Sequence, residues 1–206
     1  MPLVQVYHQI MDDVTPVCEI KEDLFRRHSR VAEFALSREP GPVKRLVFRR
    51  VEAGAIQFIL NKIKGRRGNR ALYVRVHELP LKKVVDVYEA LERMQIDPPQ
   101  PHVENFITGY ISHNRVTPVE FRAVYGVFDE HRDTSKVLRT LIHQMAWNLI
   151  NKNYTDAEVE EFRVKVWIFP TVDREIKARM DELAKRPSVA AKLKAQRTVQ
   201  DAAGTE

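Results

Sequence analysis

The chain has 206 residues, room for one large domain or for a domain with an extension. Hydrophobic residues make up 44% and charged residues 30%, enough to bury a core and stay in solution, and 34 Lys and Arg against 28 Asp and Glu leave +6, a mild basic excess spread over the whole length. The single cysteine, Cys18, rules out a disulfide framework or a Cys-based zinc site and fits a reducing compartment. No window approaches the ~18 consecutive apolar residues of a membrane helix, and the first six residues lack the charged-then-apolar build of a secretory signal. The expectation is a nuclear or cytoplasmic protein.

In chain order, Val4, Val6 and Ile10 predict a short first strand, and Asp12-Asp13 a turn before a second run at 17–20. An amphipathic helix starts near Lys21 with Glu22 and Asp23 in its first turn and Arg26, Arg27 and His28 later, charges that complement the helix dipole at both ends. Ser29 is a capping residue for a second helical turn, and Glu39-Pro40-Gly41-Pro42 stops it. The β-branched and aromatic run 43–51 predicts a strand, and Ala55, Ile56, Ile59, Leu60 and Ile63 predict a helix over 52–64. Leu72, Val74 and Val76 alternate with Tyr73 and Arg75, the pattern of an edge or half-buried strand.

From Leu79 the pattern is helical. Val84, Val87, Tyr88, Leu91 and Met94 mark one helix, stopped by Asp97-Pro98-Pro99, and Val103, Phe106, Ile107, Tyr110 and Ile111 the next. Thr117-Pro118-Val119-Glu120 combines a cap, a proline at the first helical position and an acid three residues past the cap, a strong helix start. A wide apolar stripe over 135–152 needs covering by other elements, Thr155 and Glu158 form another capping box, and 172–185 is one further, more polar helix. The organisation read from this is a core over 1–115, a helical extension packed on it over 116–186, and a flexible basic tail over 187–206.

No constellation for catalysis, a cofactor or a metal stands out. None of the seven histidines pairs with another at the three- to five-residue spacing of a helical metal site. Ser29 has no readable His/Asp partners, and no glycine-rich nucleotide loop is present. Gly65-Arg66-Arg67-Gly68 does draw the eye. A G-x-x-G loop with basic residues inside is how KH domains clamp a nucleic-acid backbone, but that loop joins two helices and the residues after this one alternate like a strand. Two readings stay open: a basic loop touching phosphate through Lys64, Arg66, Arg67 and Arg70, or a solvent-exposed turn in which glycine supplies backbone freedom. Tyr154, Phe162, Trp147, Trp167 and Phe169 concentrate aromatics in the C-terminal third; they are either core or, at Trp167-Ile168-Phe169, a docking patch.

The order of these weak signals resembles a BTB/POZ domain of the divergent kind abundant in fungal proteins. The family pattern of a strand, a position usually His, an apolar pair and then Ser is met at Leu24-Phe25 and Ser29; Lys21 stands where His is usual and Ala32 where an aromatic is usual. Leu46-Val47-Phe48 with the 55–63 helix is similar to the family's next strand and helix, and 81–96 to the following helix. Residues 116–125 and 135–141 are similar to the helical extension of fungal members. The resemblance covers 16–152. It implies an α/β (α+β) fold, a small mixed sheet flanked by helices with a helical C-terminal extension. It also implies a non-enzymatic adaptor that forms a homodimer or docks a protein partner, in some relatives a cullin-type scaffold. The surfaces expected for this are Val4 and Val6 for strand exchange, Ile59 and Ile63 on the helix edge, and Trp167 and Phe169. The alternative function is nucleic-acid association through Lys64, Arg66, Arg67, Arg70 and the basic tail.

Overall fold

The computed structural model of the protein describes residues 2–38, 41, 43–66, 71–165 and 170–185. Along β1 (Leu3–Ile10), Val4, Val6 and His8 alternate with Leu3, Gln5, Tyr7 and Gln9, so the strand's period of two sends the first set into the core and the second outward. β1 runs antiparallel to β2 (Asp13–Lys21) across a turn in which Met11 takes a φ of 51°. It runs parallel to β3 (Val43–Arg49), giving the order β2-β1-β3. The segments 17–20 and 43–51 therefore share one sheet, as expected, but β1 lies between them. The pairing between β1 and β2 shifts at Val6/Tyr7, leaving Val17 as an extra residue beside Pro16; a proline that cannot donate to the ladder is tolerated on such an edge strand.

A parallel return needs a crossover, and two short helices supply it, α1 (Glu22–His28) and α2 (Arg30–Leu36). Ser29, extended at φ −140°, breaks the helix between them, and its buried hydroxyl accepts from the Ala32 amide at 3.0 Å and donates to the Met94 carbonyl at 2.7 Å. The Ser29–Ile96 bridge and the Arg30 amide to the Gln95 carbonyl add to that tie. Beyond β3, Glu52 caps α3 (Ala53–Lys64) through the Ala55 amide at 2.7 Å.

The expected strand at 72–76 is not in the sheet. The segment is extended, with Leu72, Val74 and Val76 buried and Tyr73 and Arg75 exposed, so the alternation is real. Its backbone, however, is bonded by side chains. Gln100 donates to the Leu72 carbonyl at 2.9 Å and accepts from the Val74 amide at 3.1 Å, and a ring nitrogen of His102 meets the Val74 carbonyl at 2.8 Å. A buried amide can thus stand in for a strand partner.

The helical remainder is α4 (Leu81–Arg93), α5 (Pro101–His113), α6 (Pro118–Phe128), α7 (Lys136–Ile150), α8 (Asp156–Lys165) and α9 (Pro170–Ala184). α4 packs on α3, α5 and α6; α7 bridges α5, α6 and α9; and α8 lies on α6. The capping boxes at Thr117 and Thr155 are both formed. One core runs from the sheet through these helices: Phe162 of α8 is fully buried, edge-on to Phe121 at 6.0 Å and to Tyr154 at 5.0 Å. Of the aromatics read as core, Trp147 is instead about half exposed (49%). The tail over 187–206 lies outside the described residues.

Candidate interaction surfaces

Four of the residues expected to meet a partner are interior. Val4, Val6, Ile59 and Ile63 have no solvent-exposed surface. β1 is hydrogen-bonded on both sides, so it offers no free edge, and Ile59 and Ile63 lie on the face of α3 that covers the core. The helical period correctly marked them as apolar; it could not say which apolar stripes the fold would close over. Trp167 and Phe169 lie outside the described residues.

What the sheet does leave open is its outer face. Leu3, Val43 and Val47 are 41%, 57% and 42% exposed, and Val14 is 48% exposed on β2. The register sets Leu3 beside Val43 and Tyr7 beside Val47, so the apolar side chains form a band broken at its middle by the polar row of Glu19, Gln5 and Arg45. Tyr7 donates to Gln5 at 2.9 Å, Gln5 donates to Glu19 at 3.3 Å, and the Arg45 guanidinium stands 5.8 Å from the Tyr7 ring centroid. The outer edges of β2 and β3 carry no further strand among the described residues.

A second surface is built where α3 ends. Gly65 closes the helix with its amide on the Asn61 carbonyl at 2.9 Å, and Arg66 follows, its amide 3.3 Å from the Ile63 carbonyl. From there the Arg66 side chain turns inward. Both of its terminal guanidinium nitrogens are buried and make no hydrogen bond. A cleft of about 460 Å³ opens beside it, lined also by Lys62, Leu72, Tyr73 and Arg75, with no acid among its described lining residues. The exposed Tyr73 ring stacks on His102, centroids 4.2 Å apart and 19° from parallel. The positive charge reaches His28 at the end of α1, whose pKa is lowered first by burial and further by Arg66 and Arg27, against a backbone bond at Asp97.

Of the described basic residues named from the loop, Arg66 is in this cleft and Lys64 is not. Lys64 is exposed and its ammonium faces Cys18 on β2, where it offsets the rise that burial gives the thiol. Arg67 and Arg70 lie outside the described residues. Lys62, Tyr73 and Arg75 were missed, although the alternation of 72–76 already put Tyr73 and Arg75 on one outward face. The loop is preceded by helix and followed by the extended 71–76 segment, which is not the helix-to-helix setting of a KH loop.

Among the described residues no cluster of His, Cys, Asp and Glu could hold a metal, and no helix is long and apolar enough to cross a membrane. No family model matches the chain, and no curated protein matches it.

Proposed function

We propose that the chain is a BTB/POZ-like protein–protein interaction module, non-enzymatic and acting in the nucleus or cytoplasm, that self-associates or docks a protein partner. The observation that carries this reading is the element order. A strand pair, a helix pair hinged at Ser29, a parallel third strand, a helix, a further helix pair and a helical extension follow one another as the family resemblance implies. The exposed band of Leu3, Val14, Val43 and Val47 between two open strand edges adds a surface suited to such a role, because clustered apolar side chains and unpaired edges are what a partner covers.

Light scattering on size-separated full-length chain tests it. The expected result is a mass near twice the 24.0 kDa of one chain, falling to a single chain when Val43 and Val47 are both changed to Asp. A monomer at every concentration, together with failure of the wild-type band to retain a partner that the Asp variant loses, overturns it.

A further inference from the structure

We propose that the cleft at the end of α3 binds single-stranded nucleic acid, Arg66 taking a backbone phosphate while the exposed ring of Tyr73 receives a base. The inference is independent of the interaction reading above, since it uses a different face of the molecule. It starts from the Arg66 guanidinium, a group that cannot shed its proton. Burying a cation with its two terminal nitrogens unbonded costs several kcal/mol unless an anion meets it, and no carboxylate among the described residues does. Arg66 lines an open cleft while its terminal nitrogens are buried, so the fork reaches a ligand by turning outward, and its planar geometry then matches two phosphate oxygens at once.

The other lining residues narrow the class of ligand. Lys62 and Arg75 add two cations along the same cleft, neither paired with a described acid, which suits a run of phosphodiesters better than one isolated anion. Tyr73 is 61% exposed and backed by His102, so one face of a braced ring is presented at the rim. Base stacking on such a ring tolerates any sequence. The segment that carries Tyr73 and Arg75 is held by Gln100 and His102 through its backbone, so the platform is in place before a ligand arrives.

The test is fluorescence anisotropy of the full-length chain with labelled oligouridine and oligothymidine, from about 50 to 200 mM salt. The expected result is binding whose logarithm falls with log salt at a slope of about −2, as three neutralised phosphates require. Arg66→Met weakens binding by about tenfold or more and Tyr73→Ala by at least about fivefold. Arg66→Met also melts no lower than wild type, because it removes an unmet buried charge, so its loss of binding is not loss of fold. Should that variant fail to fold, Tyr73→Ala and Arg75→Gln, both exposed positions, carry the test alone. Absence of binding at the lowest salt, or variants within about twofold of wild type, overturns the proposal. So does tighter capture of a phosphoserine peptide of equal charge, which would assign the cleft to a phosphoprotein.

Discussion

Glu22 and Lys44 are the charged pair on which the joint between sheet and first helices turns. The Lys44 ammonium donates to Glu22 at 2.8 Å and to the Leu36 carbonyl at 2.6 Å, so one side chain on β3 holds the start of α1 and the end of α2. Both partners are nearly buried, and removing Lys44 leaves Glu22 only its longer contact with Arg26 at 3.4 Å, so Lys44→Met should destabilise by about 2 kcal/mol in urea unfolding. The hydrogen bond from Lys44 holds the Glu22 carboxyl below its ordinary pKa of 4.5. A lowered folded-state pKa gives stability that is complete above the ordinary value and is lost as the pH falls through the folded one. Wild type should therefore lose stability more steeply than Glu22→Gln below about pH 4.5, a difference read from unfolding midpoints in acid. Ser29 works on the same scale. Ser29→Ala removes a helix cap and the donor to a buried carbonyl together, a loss of roughly 2 kcal/mol.

At the scale of elements, the extended 72–76 segment is the test case. Two of its backbone groups depend on the amide of one side chain, Gln100, which is itself buried. Gln100→Leu would leave the Val74 amide and the Leu72 carbonyl unmet, and the expected cost is roughly 2–3 kcal/mol. Amide exchange should localise it: the Val74 amide, protected in wild type, becomes fast in the variant while β1 stays protected. Helix starts behave more simply. Thr117 and Glu120 satisfy each other's backbone at α6, and the loss on Thr117→Ala should be about 1 kcal/mol.

For the whole molecule, the question is whether the C-terminal helices are an appendage or a wall of the core. Phe162 has no exposed surface, and Tyr154 donates from its hydroxyl to the Val116 carbonyl at 3.0 Å, so α8 closes over the start of α6. Arg115 pairs with Glu158 of α8 at 2.9 Å, and Arg132 with Glu175 of α9 at 2.8 Å. A chain ended after residue 153 should consequently melt lower than 1–206 and bind more of a hydrophobic dye, since it uncovers Phe121 and the α7 stripe. Phe162→Ala in the full chain should reproduce much of that loss, about 3–5 kcal/mol. A truncated chain that melts like the intact one would make the extension dispensable.

Local chemistry was readable from residues alone. The 3.6-residue stripes placed the long helices, Ser29, Thr117 and Thr155 announced their caps, and alternation marked β1 and the outward faces of Tyr73 and Arg75, because each of these is fixed by neighbours within a few positions. Pairing and exposure were not. Nothing near Val4 or Val6 says that β1 will be the middle strand, nothing near Leu72 says that a glutamine 28 residues on will take a strand's place, and the helical period of Ile59 is the same whether its stripe faces core or partner. Those outcomes belong to the tertiary structure, because which edge is filled and which apolar face is covered depend on elements far away in sequence. The inward turn of Arg66 is one more: a basic residue in a glycine-bounded loop reads as solvated until the packing around it leaves two donors buried and unbonded.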